Sequence, residues 1–186
     1  MRIISGNLKG KKILQPKDRT TRPLKDLTKE SIFNIITHTN KFDIEISNSN
    51  VLDLFSGVGS FGLECLSRGS SYIIFVENYK EVLSILKKNI SNLNLQKYTL
   101  IEEQDIIETF NFNKIDKKID IIFMDPPFKE KNLSKLLTKI DDSDILNKKG
   151  IIIIHRHKKE NDIYPRNFNI IEEKIYGISK VIFGYF

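Results

Sequence analysis

The sequence predicts an α/β fold, in which a mostly parallel seven-stranded sheet is completed by a C-terminal antiparallel hairpin. Between about residues 50 and 155, short apolar runs alternate with helical patterns, which is typical of parallel strands joined by helices. These runs are almost continuously apolar, as expected for strands that helices cover on both faces. The last two apolar segments instead follow each other across a short Gly-containing turn, which favours a terminal hairpin.

The core elements follow one another in a regular order. The candidate strands are residues 50–55, 72–76, 98–102, 119–124 and 151–155, and the candidate helices are 60–68, 79–93 and 131–140, with a short one near 105–110. The segments FNIIEEKIYG and SKVIFGYF supply the hairpin. Strand–helix units that end in a β-hairpin are the chain order of class I, Rossmann-like methyltransferases. We therefore expect a methyltransferase domain over residues 43–186.

The first 42 residues are expected to form a small hairpin–helix extension. Its predicted parts are strands at residues 2–5 and 11–15 around GNLKG, a basic loop at 16–25, and a helix from Asp26 or Thr28 to about His38. The apolar face of that helix comprises Ile32, Phe33, Ile35 and Ile36.

The excess positive charge of the chain lies in this extension. Residues 1–42 contain ten Lys or Arg and three Asp or Glu, whereas residues 43–186 contain twenty and twenty-one. A basic segment beside a neutral domain suits a polyanion such as RNA or DNA, although a solvated lysine-rich surface would have the same composition. The candidate RNA-binding residues are Arg2, Lys9, Lys11, Lys12, Arg19 and Arg22.

Several classes of protein are disfavoured. Cys65 is the only cysteine, so an intrachain disulfide or a cysteine-based zinc site is excluded, and the three histidines lack a spacing that supports any metal site. His38, His155 and His157 are expected at surface or strand-end positions, and Cys65 in the core. The longest purely apolar run, Ile151 to Ile154, is too short to span a membrane. We expect a cytoplasmic monomer without a membrane partner.

The tetrapeptide Asp125-Pro126-Pro127-Phe128 follows a predicted buried strand. Proline fixes φ and extends the residue before it, so Asp125 is expected to be held in place. The Asp125 carboxylate and the Pro126 carbonyl can each accept an N–H from the exocyclic amine of a base, and Phe128 can stack on that base. The same four residues are also a common turn sequence, so the motif needs support from elsewhere in the chain.

A glycine-rich turn follows the first core strand, in Asp53-Leu-Phe-Ser-Gly57-Val-Gly59-Ser-Phe-Gly62. The spacing matches a dinucleotide fingerprint. However, Asp53 would repel a pyrophosphate at this position, whereas it would attract the sulfonium and ammonium of S-adenosylmethionine. We therefore expect a cofactor site for S-adenosylmethionine that includes Asp53, Phe55, Gly57 and Gly59.

Further cofactor contacts are expected at the ends of the neighbouring strands, because ligands of such sheets bind beyond the carboxyl ends of the strands. Glu77 is placed to accept from the ribose hydroxyls. Asp105 is placed to accept from the adenine amine, although Glu102 or Glu103 could take that role. Asp125 completes the set between cofactor and base.

Five segments that span nearly the whole chain form one recognisable pattern. They are RIISGNLKGKKI, TRPLKDLTKESIFNII, VLDLFSGVGSFGLECLSRG, FMDPPF and YGISKVIFGYF. Together they resemble the RsmD family of bacterial 16S ribosomal RNA guanine-N2 methyltransferases. The resemblance implies a guanine substrate in the small-subunit RNA, within the 30S subunit or its assembly intermediate. One departure is that Leu24 and Leu27 replace a polar and a basic residue of the family pattern.

Two other functions remain open from the residues alone. An adenine-N6 methyltransferase acting on RNA or DNA could use the same Asp-Pro-Pro-aromatic site, although DNA enzymes of this kind usually carry an extra target-recognition region. A non-catalytic RNA-binding factor for ribosome assembly could keep the fold, but it would need neither Asp53 nor the DPPF motif. S-adenosylmethionine binding separates this last function from the enzymes.

Overall fold

A seven-stranded sheet forms the centre of the protein in the computed structural model, which describes residues 1–16, 24–39 and 41–186. Its strands are β1 (Asn50–Leu54), β2 (Tyr72–Val76), β3 (Thr99–Glu102), β4 (Ile119–Met124), β5 (Leu146–His157), β6 (Asn169–Tyr176) and β7 (Ser179–Tyr185). The spatial order is β3-β2-β1-β4-β5-β7-β6. The first five strands are parallel, and β7 runs antiparallel between β5 and β6. The predicted mixed sheet is confirmed.

Helices cover both faces of the sheet, as the continuous apolar strands predict. They are α1 (Asp26–His38), α2 (Ser60–Ser67), α3 (Lys80–Asn92) and α4 (Leu133–Asp142). The first three pack on one buried cluster with strand residues such as Val51 and Phe123, and α4 packs on the other with residues such as Leu52 and Met124. None of the helices in the described part of the chain is long and apolar enough to cross a membrane.

An aromatic column ties α1 to the strand that precedes the DPPF motif. Phe33 of α1 stacks on Phe61 of α2 with ring centroids 5.1 Å apart, and Phe61 stacks on Phe123 of β4 at 4.0 Å. The guanidinium of Arg68 lies 4.2 Å from the Phe33 ring centroid on the same column. Stacked aromatic rings combine a large buried area with a defined geometry, so this column fixes the position of β4 relative to α1 and α2.

The N-terminal residues form a tight turn that is bonded to α2, and the two strands predicted at residues 2–5 and 11–15 are wrong as regular strands. The pairing between them is reduced to one bridge, Arg2 with Lys12. The backbone N–H groups of Ile4 and Ser5 instead donate to the Glu64 carboxylate at 2.8 and 2.9 Å. The turn is thus held both by backbone bonds between its two arms, such as Ile3 N–H to the Lys11 carbonyl at 2.9 Å, and by a helix side chain.

Glu64 is also the centre of a buried ion cluster that the sequence does not reveal. Glu64 and Lys29 are both fully buried, with Lys29 Nζ 3.4 Å from Glu64 Oε2, and Arg68 Nε donates to Glu64 Oε1 at 2.9 Å. Lys29 Nζ also donates to the Arg2 carbonyl. Burial lowers the pKa of Lys29, and the nearby Glu64 carboxylate opposes that shift.

Two predicted elements differ in detail. The short helix predicted near residues 105–110 is wrong: residues 106–109 form a turn, in which the Asp105 carboxylate accepts from the backbone N–H groups of Ile107 and Glu108. Strand β5 begins at Leu146, five residues earlier than expected, through pairing of Leu146 with Ile119. Cys65 is fully buried, as predicted.

Candidate active site

A cavity of about 730 Å3 opens at the carboxyl ends of β1, β2 and β4. The predicted site residues that line it are Asp53, Phe55, Gly57, Glu77, Asp105, Asp125, Pro126 and Phe128. Gly59 lies between two lining residues, Val58 and Ser60. The fold therefore brings the glycine-rich turn and the DPPF segment, about 70 residues apart in sequence, to one place.

The glycine-rich turn has the backbone that its sequence requires. Gly57 and Gly59 have φ of 54° and 81°, in the left-handed region that side chains disfavour. A Cβ on Gly59 would lie 2.5 Å from the Leu86 side chain, whereas a Cβ on Gly57 would meet nothing within 4 Å. Phe55 also has a positive φ, 58°, which is unusual for a bulky residue and marks strain beside the cavity.

Asp53 is a buried carboxylate at the end of β1. It is 1% exposed, and its Oδ2 accepts a 3.0 Å hydrogen bond from the backbone N–H of Gly62. Burial raises the pKa of Asp53 well above its usual range, and the nearby charges of Asp125 and Glu77 add to this shift. A cation in the cavity would stabilise the ionised carboxylate, whereas a phosphate would destabilise it.

Glu77 joins the glycine-rich turn to the end of β2. Its Oε2 accepts from the Gly57 backbone N–H at 2.8 Å, and its Oε1 accepts from Asn78 and Tyr79 N–H, both at 2.9 Å. A carboxylate has about four lone-pair sites, so one remains for a ligand hydroxyl. Glu77 therefore orders the turn and also lines the cavity.

Of the three clustered acidic residues after β3, only Asp105 lines the cavity. Its Oδ2 accepts from the Asn78 side-chain amide at 2.9 Å. Glu102 accepts from Gln104 and Glu103 pairs with Lys87. Of these three residues, Asp105 is therefore the one placed at the cavity, and its contact with adenine stays a prediction.

Asp125 contacts a histidine for which the sequence suggested only a surface or strand-end position. The Nδ1 of His155 lies 2.7 Å from Asp125 Oδ1, and the His155 side chain is 9% exposed. The register signals this pair, because Met124 and Ile154 are partners in the parallel β4–β5 ladder and the next residues are Asp125 and His155. The sequence lacked this signal because strand order and register were unknown.

The end of β5 also fixes the loop that carries the DPPF motif. Arg156 is fully buried and donates to the carbonyls of Pro127 at 3.0 Å and Glu130 at 2.9 Å. The same guanidinium pairs with Asp162 through Nε and Nη2, at 2.9 and 2.8 Å. The His157 ring packs edge-on against Phe128 with centroids 5.1 Å apart. No motif in the sequence marks Arg156 as a loop-binding residue.

The basic candidates divide into two groups. Arg2, Lys9, Lys11 and Lys12 are exposed on the N-terminal turn. Arg19 and Arg22 lie outside the described residues. Leu24, the first described residue after them, is buried and lines the cavity together with Pro16, so the predicted basic loop meets the cavity at both its flanks.

Known proteins match this chain over nearly its full length. The family model for Conserved hypothetical protein 95 matches residues 1–185. Ribosomal RNA small subunit methyltransferase D of Buchnera aphidicola subsp. Acyrthosiphon pisum is 33% identical over 175 residues, covering 93% of this chain and 86% of its own length.

Two solved structures share the fold. A hypothetical protein of Thermus thermophilus superposes with a TM-score of 0.77 at 22% identity, covering 98% of each chain. The ribosomal protein L11 methylase of Lactobacillus delbrueckii subsp. bulgaricus superposes with a TM-score of 0.60 at 16% identity, over 75% of this chain and 70% of its own. The fold is thus that of Rossmann-like methyltransferases. The chain belongs to the Conserved hypothetical protein 95 family, the family of the RsmD methyltransferases that its sequence resembles.

Proposed function

We propose that this protein transfers a methyl group from S-adenosylmethionine to the exocyclic N2 amine of a guanine in bacterial 16S ribosomal RNA. The observation that carries the proposal is the shared cavity, in which the buried carboxylate of Asp53 and the Asp125-Pro126 segment line one space. A site with a carboxylate for a cationic cofactor and acceptors for an amine suits amine methylation. Family membership and the names of relatives support ribosomal RNA as the substrate.

The cofactor is S-adenosylmethionine, and the residues present fit it. Asp53 accepts one backbone N–H at a buried position and burial raises its pKa, so the sulfonium and ammonium of the cofactor would stabilise its ionised form. Glu77 would hold the ribose, Asp105 the adenine amine, and Gly57 would allow close approach of the ligand to the backbone. Bound there, the cofactor supplies an already activated methyl group.

Asp125 and Pro126 orient the amine nitrogen. One N–H donates to the free Oδ2 of Asp125 and the other to the Pro126 carbonyl, which localises the nitrogen lone pair that is otherwise conjugated into the ring. This orientation would hold the nitrogen in line with the activated methyl group, and the methylated amine would lose a proton to Asp125 or to water. Phe128 stacks on the extruded base and separates it from bulk water.

The exposed basic residues of the N-terminal turn bind the RNA backbone. Arg2, Lys9, Lys11 and Lys12 belong to a segment whose excess charge suits phosphate contacts. The substrate is the RNA within the 30S subunit or its assembly intermediate, and the enzyme acts as a cytoplasmic monomer.

Labelled methyl transfer tests the substrate. Unmodified 30S particles, naked 16S RNA and double-stranded DNA are incubated with purified protein and S-adenosylmethionine carrying a labelled methyl group. We expect incorporation into 30S particles, at least about tenfold above naked RNA, because the particle presents a preformed docking surface. Incorporation into DNA alone, or none with the cofactor bound, would overturn the proposal in favour of a DNA enzyme or a binding factor.

A further inference from the structure

His155 is a buried imidazole with one protein partner. Its Nδ1 bonds Asp125 Oδ1 at 2.7 Å, and its Nε2 is buried without a hydrogen-bond partner among the described residues. A histidine kept only to fill space would usually have both nitrogens satisfied or be replaced by an apolar residue, because a buried polar atom without a partner is costly. The hydrogen bond to Asp125 is therefore the interaction that an apolar residue at position 155 could not make.

The chemistry of the pair fixes the tautomer. An ionised carboxylate can only accept hydrogen bonds, so the proton between the two groups belongs to Nδ1 of His155. Asp125 Oδ1 thereby accepts from His155, and Oδ2, which has no hydrogen-bond partner among the described residues, is available to an amine in the cavity. The terminal torsion of an aspartate is broad, so without this bond the carboxylate plane would rotate freely through a wide range.

The backbone under Asp125 is held by other groups. The Asp125 N–H donates to the Leu54 carbonyl at 3.3 Å, and Arg156 holds the carbonyls of Pro127 and Glu130. These bonds do not involve the imidazole. Loss of His155 should therefore release the Asp125 carboxylate while leaving the loop in place.

We propose that His155 is a positioning residue, which donates from Nδ1 to Asp125 Oδ1 and so presents Oδ2 to the substrate amine. This inference rests on the proposed function, since it assigns a role within the same reaction. The imidazole bonds to Asp125 and not to Asp53, Glu77 or Asp105, and it acts on the reacting nitrogen only through Asp125. Its loss should therefore lower kcat and leave binding unchanged.

Three substitutions separate this role from simple packing. His155→Leu removes the donor. His155→Asn places an amide N–H at the same number of bonds from the backbone as Nδ1, whereas His155→Gln places it one bond further, at the position of Nε2. His38→Asn, at an exposed position in the last turn of α1, is the matched control for the replacement itself.

The measurements are kcat and KM for methylation of 30S particles, calorimetric affinity for S-adenosylmethionine, and thermal unfolding. We expect kcat to fall about ten- to a hundredfold in His155→Leu and His155→Gln, the loss of one hydrogen bond to a charged group. We expect KM and cofactor affinity to change by less than about threefold, and His155→Asn to recover kcat to within about threefold of the wild type. If His155→Leu unfolds, the comparison of Asn with Gln decides the same question.

Wild-type kcat in folded His155→Leu would overturn the inference, and so would equal losses in folded His155→Asn and His155→Gln. A wild-type protein that does not methylate 30S particles would refute the proposed function itself. An active wild type whose kcat is unchanged by the His155 substitutions would refute only the role of His155.

Discussion

Two carboxylates in the cavity, Asp53 and Asp125, have opposite environments that suit different tasks. Asp53 is almost fully buried with one backbone donor, and burial raises its pKa. The Asp125 side chain is 21% exposed and bonded to His155. The former is suited to a permanent cation in the cofactor, and the latter to an amine that arrives from solvent. Both residues belong to motifs at the ends of strands, so the sequence predicted them, whereas the role of His155 depends on the pairing of β4 with β5.

Removal of the Asp125 side chain tests its role in turnover. Asp125→Ala should lower kcat by about a hundredfold or more, because the amine loses its charged acceptor. Cofactor affinity should stay within about threefold of the wild type, since Asp53, Glu77 and Asp105 remain. Methyl transfer to 30S particles and calorimetry are the measurements. Retained turnover would remove Asp125 from the reaction.

The raised pKa of Asp53 should make the affinity for the cofactor depend on pH. Its raised pKa means that the free protein holds this carboxyl partly protonated above the usual range of an aspartate, and the cationic cofactor favours the ionised form. Binding therefore releases a proton, and affinity should rise with pH through the raised pKa. Calorimetry at a series of pH values above the usual titration range of an aspartate should show this rise in the wild type and a weaker, flatter affinity in Asp53→Asn.

The same shift has a consequence for stability. A carboxyl whose pKa is raised on folding contributes stability that is fully present below its unfolded pKa and is lost as pH rises through the folded value. Asp53→Asn keeps an acceptor for Gly62 without the charge, so the ligand-free variant should be at least as stable as the wild type at neutral pH. A lower unfolding temperature at pH 7 would contradict this account of Asp53.

At the scale of elements, the end of β5 organises the loop between β4 and α4. Three consecutive residues, His155, Arg156 and His157, each contact a different part of that loop. The apolar run of β5 was predictable because strands buried on both faces need continuous hydrophobic residues. The contacts between β5 and this loop were not predictable from the sequence, since they depend on which strand lies beside β5. The segment predicted as a short helix near 105–110 forms a turn, which the N–H groups of Thr109 and Phe110 close by donating to the Asp105 carbonyl.

Arg156 should be a major source of local stability. Arg156→Met should lower the free energy of unfolding by about 3–5 kcal/mol, because Asp162, with a side chain 7% exposed, would lose its buried partner. The double variant Arg156→Met/Asp162→Leu should recover part of this loss. Lys87→Met breaks a half-exposed pair with Glu103 and should cost less than about 1 kcal/mol. Urea unfolding measures all three, and similar losses at positions 87 and 156 would refute the buried-pair account.

At the scale of the whole molecule, the basic N-terminal segment and the domain that contains the cavity are joined by direct hydrogen bonds. The excess positive charge of the chain resides in residues 1–42, and the N-terminal turn is bonded directly to α2 through Glu64. The sequence predicted where the charge lies along the chain. It did not predict the buried Lys29–Glu64 pair, because both residues are ordinary surface types whose burial arises where α1, α2 and the N-terminal turn meet.

If the basic residues of the N-terminal turn contact RNA, they should steepen the salt dependence of particle binding. Replacing Lys9, Lys11 and Lys12 with Gln should reduce the slope of log K against log salt by about 2–3, if each lysine neutralises roughly one phosphate. Three exposed lysines outside the N-terminal turn serve as the matched control set: Lys114, Lys117 and Lys148. Equal slopes for both triple variants would exclude the N-terminal turn as the RNA contact.

The identity of the methylated nucleoside tests the central claim most directly. Ribosomal RNA from 30S particles labelled by the purified protein is digested to nucleosides and separated by chromatography with mass detection. The proposed function predicts that the label is recovered as N2-methylguanosine, and that Asp125→Ala abolishes it. Label recovered as N6-methyladenosine would contradict the assignment of guanine while leaving the cofactor site and the DPPF chemistry in place.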